Sequence, residues 1–170
     1  MGFLKRERGK SGREVKKQKI SEEDLIGYLK LRRWRIPEGY AEVESYPLKP
    51  PFSYACIVQN EDTAEYLYLV DELPLSREER EAYERVRNIL EYELKAPEPD
   101  ETLQESFKRQ VPEIIEKHSK VLEGIPSVGL RKILYYLERD LVGYGKIDPL
   151  MFDPNVEDIS CSGVNKPIYL

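Results

Sequence analysis

Residues 65–95 read EYLYLVDELPLSREEREAYERVRNILEYELK, and the spacing of apolar residues changes inside that stretch. From Glu65 to Asp71 the pattern is extended: Tyr66, Tyr68 and Val70 point one way, Leu67 and Leu69 the other. Both sets are bulky, so this strand is expected to be covered on both faces. Ser76-Arg77-Glu78-Glu79 then has the S-x-x-E form of a capping box, worth roughly 1 kcal/mol to the helix it opens. Beyond it Tyr83, Val86, Leu90 and Leu94 recur at three- and four-residue steps, giving one buried stripe on a helix expected to end near Lys95. A strand and an amphipathic helix this close in sequence must share one fold, so the expected class is α+β, rich in helix, with small antiparallel sheets.

The flanks extend the pattern. Tyr40–Tyr46 and Phe52–Gln59 read as two more strands, separated by Pro47, Pro50 and Pro51. The second is expected to form an antiparallel hairpin with Glu65–Asp71 across Asn60-Glu61-Asp62-Thr63. Ser21 with Glu22, Glu23 and Asp24 opens an earlier helix, which runs to about Trp34 and stops before Pro37. Leu25, Tyr28, Leu29 and Leu31 or Arg32 give that helix one partly apolar face. Downstream, Ala96-Pro97-Glu98-Pro99-Asp100 cannot continue a helix. Leu103, Phe107, Val111, Ile114 or Ile115, His118 and Val121 or Leu122 then line a helix that Pro112 kinks or splits. A last helix, Ser127–Tyr144, has Val128, Leu130, Ile133, Leu134, Leu137 and Leu141 apolar and ends at Gly143 or Gly145 through a positive φ. Ile147–Phe152 is a short turn or helix. Val156–Cys161 and Lys166–Leu170 form a hairpin across Ser162–Asn165; it would need further strands after Leu170, which reads as truncation. The organisation expected is a disordered basic tail at 1–20, a first α/β subdomain at 21–96 and a Pro-rich linker at 97–100. A helical segment at 101–170 then leads into a second, truncated α/β domain.

Charge is unevenly spread. Lys5, Arg6, Arg8, Lys10, Arg13, Lys16, Lys17 and Lys19 face only Glu7 and Glu14 in the first twenty residues, a surplus of +6; with a whole-chain charge of −5, the remainder carries −11. Those eight cations are candidates for contact with an anionic surface, at about 1 kcal/mol per residue beside a charged leaflet. Arg32, Arg33, Trp34 and Arg35 form a second candidate, a basic-aromatic patch for a phosphate, lipid head group or partner protein; a solvated helix end with Trp34 packed inward fits the same residues. The acidic body argues against a dedicated nucleic-acid binder. No run approaches the roughly 18 apolar residues of a membrane span, and Met1–Ile20 has no apolar signal-peptide region, so a cytoplasmic setting is expected. Cys56 and Cys161 each sit in an apolar stretch and read as small buried hydrophobes rather than a disulfide.

Motifs for chemistry are thin. Gly9-Lys10-Ser11 lacks the earlier glycine, strand and helix of a P-loop, and Gly143-Tyr144-Gly145-Lys146 follows a helix, so its glycines read as a C-cap. His118, the one histidine, lies on an apolar stripe and reads as a packed or interfacial side chain rather than a base. Asp148, Asp153, Glu157 and Asp158 could hold Mg²⁺, but Asp148 and Asp153 each precede a proline, where Asx turns are common. The twelve tyrosines fall mostly at strand or stripe positions, where core and interface packing accounts for them. No catalytic, cofactor-binding or metal-binding residue is assigned.

Leu141–Met151 (LVGYGKIDPLM) followed by Asp153–Cys161 (DPNVEDISC) closely resembles the N-terminal region of archaeal type II/type IV secretion-system ATPases, the motors of archaella and type IV-like pili. Trp34, Pro37, Tyr40, Val43, Glu44, Tyr46, Pro51 and Phe52, and Tyr66 through Asp71 with Glu72, Leu75 and Glu79, are similar to that family's first subdomain. The resemblance covers about Ile20 to Leu170. It implies that the chain leads into a PAS-like α/β domain and then a RecA-like motor that binds ATP and Mg²⁺. It also implies a hexamer held peripherally at the cytoplasmic face by a polytopic membrane platform protein. No Walker motif has a match here, so the chain itself is expected to be no enzyme and to carry no cofactor, its role being assembly, docking and coupling. Two further readings stand beside this one: a stand-alone regulatory module that binds such a motor or its platform, and a metalloenzyme built on Asp148, Asp153 and Asp158.

Overall fold

The computed structural model describes residues 36–164 and 166–170. A three-stranded antiparallel sheet comes first, in the order β1-β2-β3, with β1 at Tyr40–Lys49, β2 at Ser53–Asn60 and β3 at Tyr66–Glu72. The β2–β3 hairpin forms as its sequence implies: the Asn60 side chain accepts from the Asp62 and Thr63 N–H groups, both at 2.9 Å, and fixes the turn. β1 runs on through Pro47, past the expected end at Tyr46. Pro47 is tolerated because β1 is an edge strand, with register shifts at Glu42/Glu44 and at Pro47/Lys49. The expectation that β3 is covered on both faces fails. Tyr66 is 60% exposed and Val70 36%, whereas Tyr54, Ala55, Cys56 and Val58 of β2 are buried. β2 has a neighbour on each side; β3 is the other edge.

Three helices follow: α1 at Arg77–Glu93, α2 at Leu103–Lys117 and α3 at Ser127–Leu141. The capping box on α1 is complete, with the Glu79 N–H donating to Ser76 Oγ and the Ser76 N–H to the Glu79 carboxylate. A second, not expected from the sequence, opens α2 at Thr102 and Glu105. Pro112 sits inside α2 without splitting it. α3 stops three residues before the expected Tyr144. The Gly143 N–H reaches back to the Glu138 carbonyl at 2.9 Å, and Gly145 takes the positive φ of 62°.

Ala82, Tyr83, Val86, Leu90, Phe107, Val111, Ile133, Leu137 and Val142 form one buried cluster. It draws on all three helices, so the segment 97–100 joins elements of a shared core rather than separating two cores. Gln110 closes that loop, accepting from the Lys95 N–H and donating to the Lys95 carbonyl. Leu103 and Leu134, placed on the apolar stripes by spacing, are 50% and 39% exposed. After α3 come a 3-10 helix at Gly145–Phe152 and a small hairpin of β4 (Ser160–Cys161) with β5 (Ile168–Tyr169). Both cysteines are free; Cys56 is buried as expected, but Cys161 is exposed, because the strand that carries it has no covering layer among the described residues. The mixed α+β class is thus the observed one.

Candidate functional site

α3 has two buried faces. Ile133 and Leu137 enter the helical core; Lys132, Tyr135 and Arg139, at steps of three and four, turn toward the sheet and the start of α1. Lys132 Nζ sits 2.5 Å from Glu79 Oε2 and donates to the Pro74 carbonyl at 3.0 Å. Glu79 therefore caps α1 and neutralises a buried lysine at once. Gly129 lets α3 come this close, since a Cβ there would meet Glu79 Oε1 at 2.6 Å.

One turn on, Arg139 donates through Nη1 to Glu72 Oε2 at 2.5 Å and through Nε to Asp140 Oδ1 at 2.7 Å. Tyr135 donates to the other Glu72 oxygen at 2.6 Å and stacks on Phe52 with centroids 5.0 Å apart. Tyr83 donates to Asp140 at 2.6 Å, and the Arg139 guanidinium lies 4.6 Å from the Tyr136 ring centre. Burial opposes the charge on Arg139, but the hydrogen bond to Asp140 and the charges of Glu72 and Asp140 outweigh it and raise its pKa. Burial, then the hydrogen bonds to Glu72 and Asp140, push the Tyr135 and Tyr83 phenols well up; burial and the Glu72 charge take Tyr136 to about 12. Glu72, Arg80, Tyr83, Arg87, Tyr136 and Arg139 line a cleft of about 480 Å³ above this group. Its floor is a chain of mutually committed partners: each carboxylate is matched by a cation or a phenol. Chemically, the arrangement is a clamp between the sheet and the helices.

A second clamp uses Asp153. This buried carboxylate accepts from Tyr46 at 2.7 Å, Tyr68 at 2.6 Å and the Asn155 N–H at 2.8 Å. Burial works against its charge, yet the two phenols and the Asn155 donors hold its pKa below the usual carboxylate range. Asp148, also buried, accepts from the Tyr144 N–H at 3.0 Å; a Cβ at Gly143 would press into its carboxylate and into the Arg139 carbonyl. The Gly143 N–H bonded to the Glu138 carbonyl ties the stretch from Gly143 to Asn155 to α3 at one end, and Asp153 ties it to the sheet at the other. Its apolar side chains do not all turn inward: Tyr144, Met151 and Phe152 are exposed, as are Ile168, Tyr169 and Leu170 of the hairpin.

Of the residues singled out in the sequence, all twelve contact candidates lie outside the described residues: Lys5, Arg6, Arg8, Lys10, Arg13, Lys16, Lys17, Lys19, Arg32, Arg33, Trp34 and Arg35. So does the helix expected at 21–34. His118 caps α2 and meets Glu93 at 2.7 Å, beside a Lys117–Glu93 ion pair at 2.9 Å; it is partly exposed at the end of the stripe rather than packed within it. Among the described residues no three His, Cys, Asp or Glu side chains gather as a metal-binding set, and Asp148 and Asp153 serve separate turns. The junction clamp was missed. Its signal was present as a second stripe on α3, in which Lys132, Tyr135, Tyr136 and Arg139 recur at helical spacing. No helix among the described residues is long and apolar enough to cross a membrane.

No family model matches the chain. A similar protein is "Uncharacterized protein MJ1288" of Methanocaldococcus jannaschii, 33% identical over 166 residues. The alignment takes in 95% of this chain and 63% of that protein, so the chain spans less than two thirds of its curated relative's length.

Proposed function

We propose that the chain is the N-terminal docking and assembly segment of a secretion-superfamily motor ATPase, of the kind that powers type IV pili, archaella or type II-like secretion. ATP and Mg²⁺ belong to a RecA-like domain outside these residues. The chain joins subunits into a hexamer and holds the motor to a polytopic platform protein at the inner face of the membrane. The observation that carries the reading is the conformation of residues 141–161, which bear the family resemblance. The Gly143 N–H bonded to the Glu138 carbonyl ties the stretch to α3, Asp153 ties it to the sheet and buried Asp148 holds its turn at Tyr144, while Tyr144, Met151 and Phe152 stay exposed. A segment built to be rigid inside and apolar outside suits a contact surface. The pairing of Glu72, Tyr83, Arg139 and Asp140 with one another and with Tyr135 favours the same reading over chemistry at the cleft.

Binding of the purified chain to the RecA-like motor domain and to the cytoplasmic part of the platform protein tests this. Saturable binding to either, lost in Phe152→Asp with the fold retained, is the expected result. No binding to either overturns it. The alternative, a stand-alone module that regulates such a motor, shares the exposed surface. It is separated by the intact mass of the natural protein, which on that reading equals the 19.9 kDa of this chain.

A further inference from the structure

The clamp uses the Tyr135 hydroxyl; the Tyr135 ring belongs to another stripe of α3. Arg131, Leu134, Tyr135 and Glu138 recur there at steps of three and four. With Lys49, Pro50 and Phe52, where β1 turns into β2, they line a groove of about 250 Å³. Its floor is apolar: Phe52 and Tyr135 stack with centroids 5.0 Å apart, and Pro50 and Leu134 are exposed beside them. Its rim is cationic. Lys49 Nζ lies 5.5 Å from the Tyr135 ring centre and 4.6 Å from that of Phe152, and the Arg131 guanidinium lies 5.9 Å from that of Phe52. Lys49 shares Glu138 with Lys108 of α2, at 3.6 and 3.9 Å. Arg131 has no carboxylate partner among the described residues. A guanidinium resting on a ring keeps N–H donors for a carboxylate. The groove thus gathers three cations, Lys49, Lys108 and Arg131, around the single carboxylate of Glu138. That surplus is local. Residues 1–35 hold twelve cations and five carboxylates, a net +7; with a whole-chain charge of −5, residues 36–170 carry −12.

We propose that this groove binds an acidic segment of a partner protein, one that carries an aliphatic or aromatic side chain beside its carboxylates. The apolar side chain rests on Pro50, Phe52 and Leu134. One carboxylate pairs with Arg131, and a second takes the place of Glu138 at Lys49. Charge complementarity selects this occupant, and the same rim disfavours the chain's own residues 1–35, with their net +7. The contact of Lys49 with Phe152 makes the groove continuous with the exposed Met151 and Phe152. The inference therefore rests on the docking role proposed above, and names the chemistry of the partner, but does not depend on that partner being a motor or its platform.

Fluorescence anisotropy on the full chain tests it. The probe is a short labelled peptide of alternating glutamate and leucine; lysine–leucine and glutamate–serine peptides are the controls. The glutamate–leucine peptide should bind saturably, more weakly as salt rises, and the controls should not bind. Arg131→Glu and Leu134→Asp should each weaken binding on the order of tenfold, with the fold retained by circular dichroism. Glu138→Gln should tighten it about threefold, because the groove's own carboxylate no longer competes for Lys49 and Lys108. A merely structural Glu138 gives no such gain. Arg85→Glu, the same charge change at an exposed site outside the groove, should leave binding unchanged. No binding, equal binding of the lysine–leucine peptide, or binding that survives Arg131→Glu would overturn the proposal. So would tighter binding to phosphatidylglycerol vesicles, which assigns the groove to lipid, or self-association lost in Arg131→Glu, which assigns it to a second copy. If the motor domain or platform protein binds and Arg131→Glu leaves that binding intact, this inference fails and the motor reading stands. If the peptide binds as expected and neither protein does, the motor reading fails and the groove assignment stands.

Discussion

The two sides of α3 rest on different physics. Toward α1 and α2 it buries Ile133 and Leu137 in an apolar cluster, where shape and volume set the energy. Toward the sheet and the start of α1 it buries Lys132, Tyr135 and Arg139 against Glu79, Glu72 and Asp140, where each polar group depends on a specific partner. The apolar side tolerates changes of pH and salt and punishes lost volume. The polar side adds less net stability, because desolvation offsets most of the attraction, but it fixes how the sheet sits on the helices.

The largest effect should come from the apolar side. Leu90→Ala, at a side chain with no exposure, is expected to cost about 3–5 kcal/mol in denaturant melts. On the polar side, Glu72→Ala should cost about 2–4 kcal/mol by stranding Arg139 and Tyr135. Glu72→Leu/Arg139→Met should recover much of that loss. A double variant no better than the single would break the comparison, since the pair would then be a net source of stability.

Titration sharpens the contrast. The Asp153 pKa is lowered, so its contribution is complete above the unfolded value of about 4 and is lost as pH falls through the folded value. The Tyr136 pKa is raised from 10.0 to about 12, so its contribution is complete below pH 10.0 and is lost as pH rises toward about 12. Melts from pH 3 to pH 11 — roughly the span where carboxylates and phenols titrate — should therefore weaken at both ends. Asp153→Asn should blunt the acid limb, and it also removes a cause of the raised Tyr46 and Tyr68 pKa values. The smallest effect is expected on the surface, where Glu81→Ala removes an exposed pair with Arg77 and should shift stability by about 0.5 kcal/mol or less.

Local signals in the sequence carried far. Ser76 and Glu79 marked the start of α1, and Tyr83, Val86 and Leu90 its buried stripe, because cap and period act over a few residues. The β2–β3 hairpin was legible for the same reason. What escaped depends on partners far along the chain. Nothing near Arg139 shows that Glu72 will neutralise it, and nothing near Asp153 points to Tyr46 and Tyr68. Lys132 reads as a solvated face until Glu79 is placed beside it. β3 looked doubly covered because its residues are bulky on both sides, but its edge position depends on sheet order. The basic tail and the Arg32–Arg35 patch were legible as charge, and their place lies outside the described residues.

Hydrogen exchange of the chain, alone and with a purified RecA-like motor domain, tests the docking reading most directly. The account predicts slower exchange at residues 144–152 and in the β4–β5 hairpin when the motor domain is added, with little change in α1 and β2. Unchanged exchange at 144–152 and the hairpin, or protection confined to the cleft between α1 and α3, would contradict it.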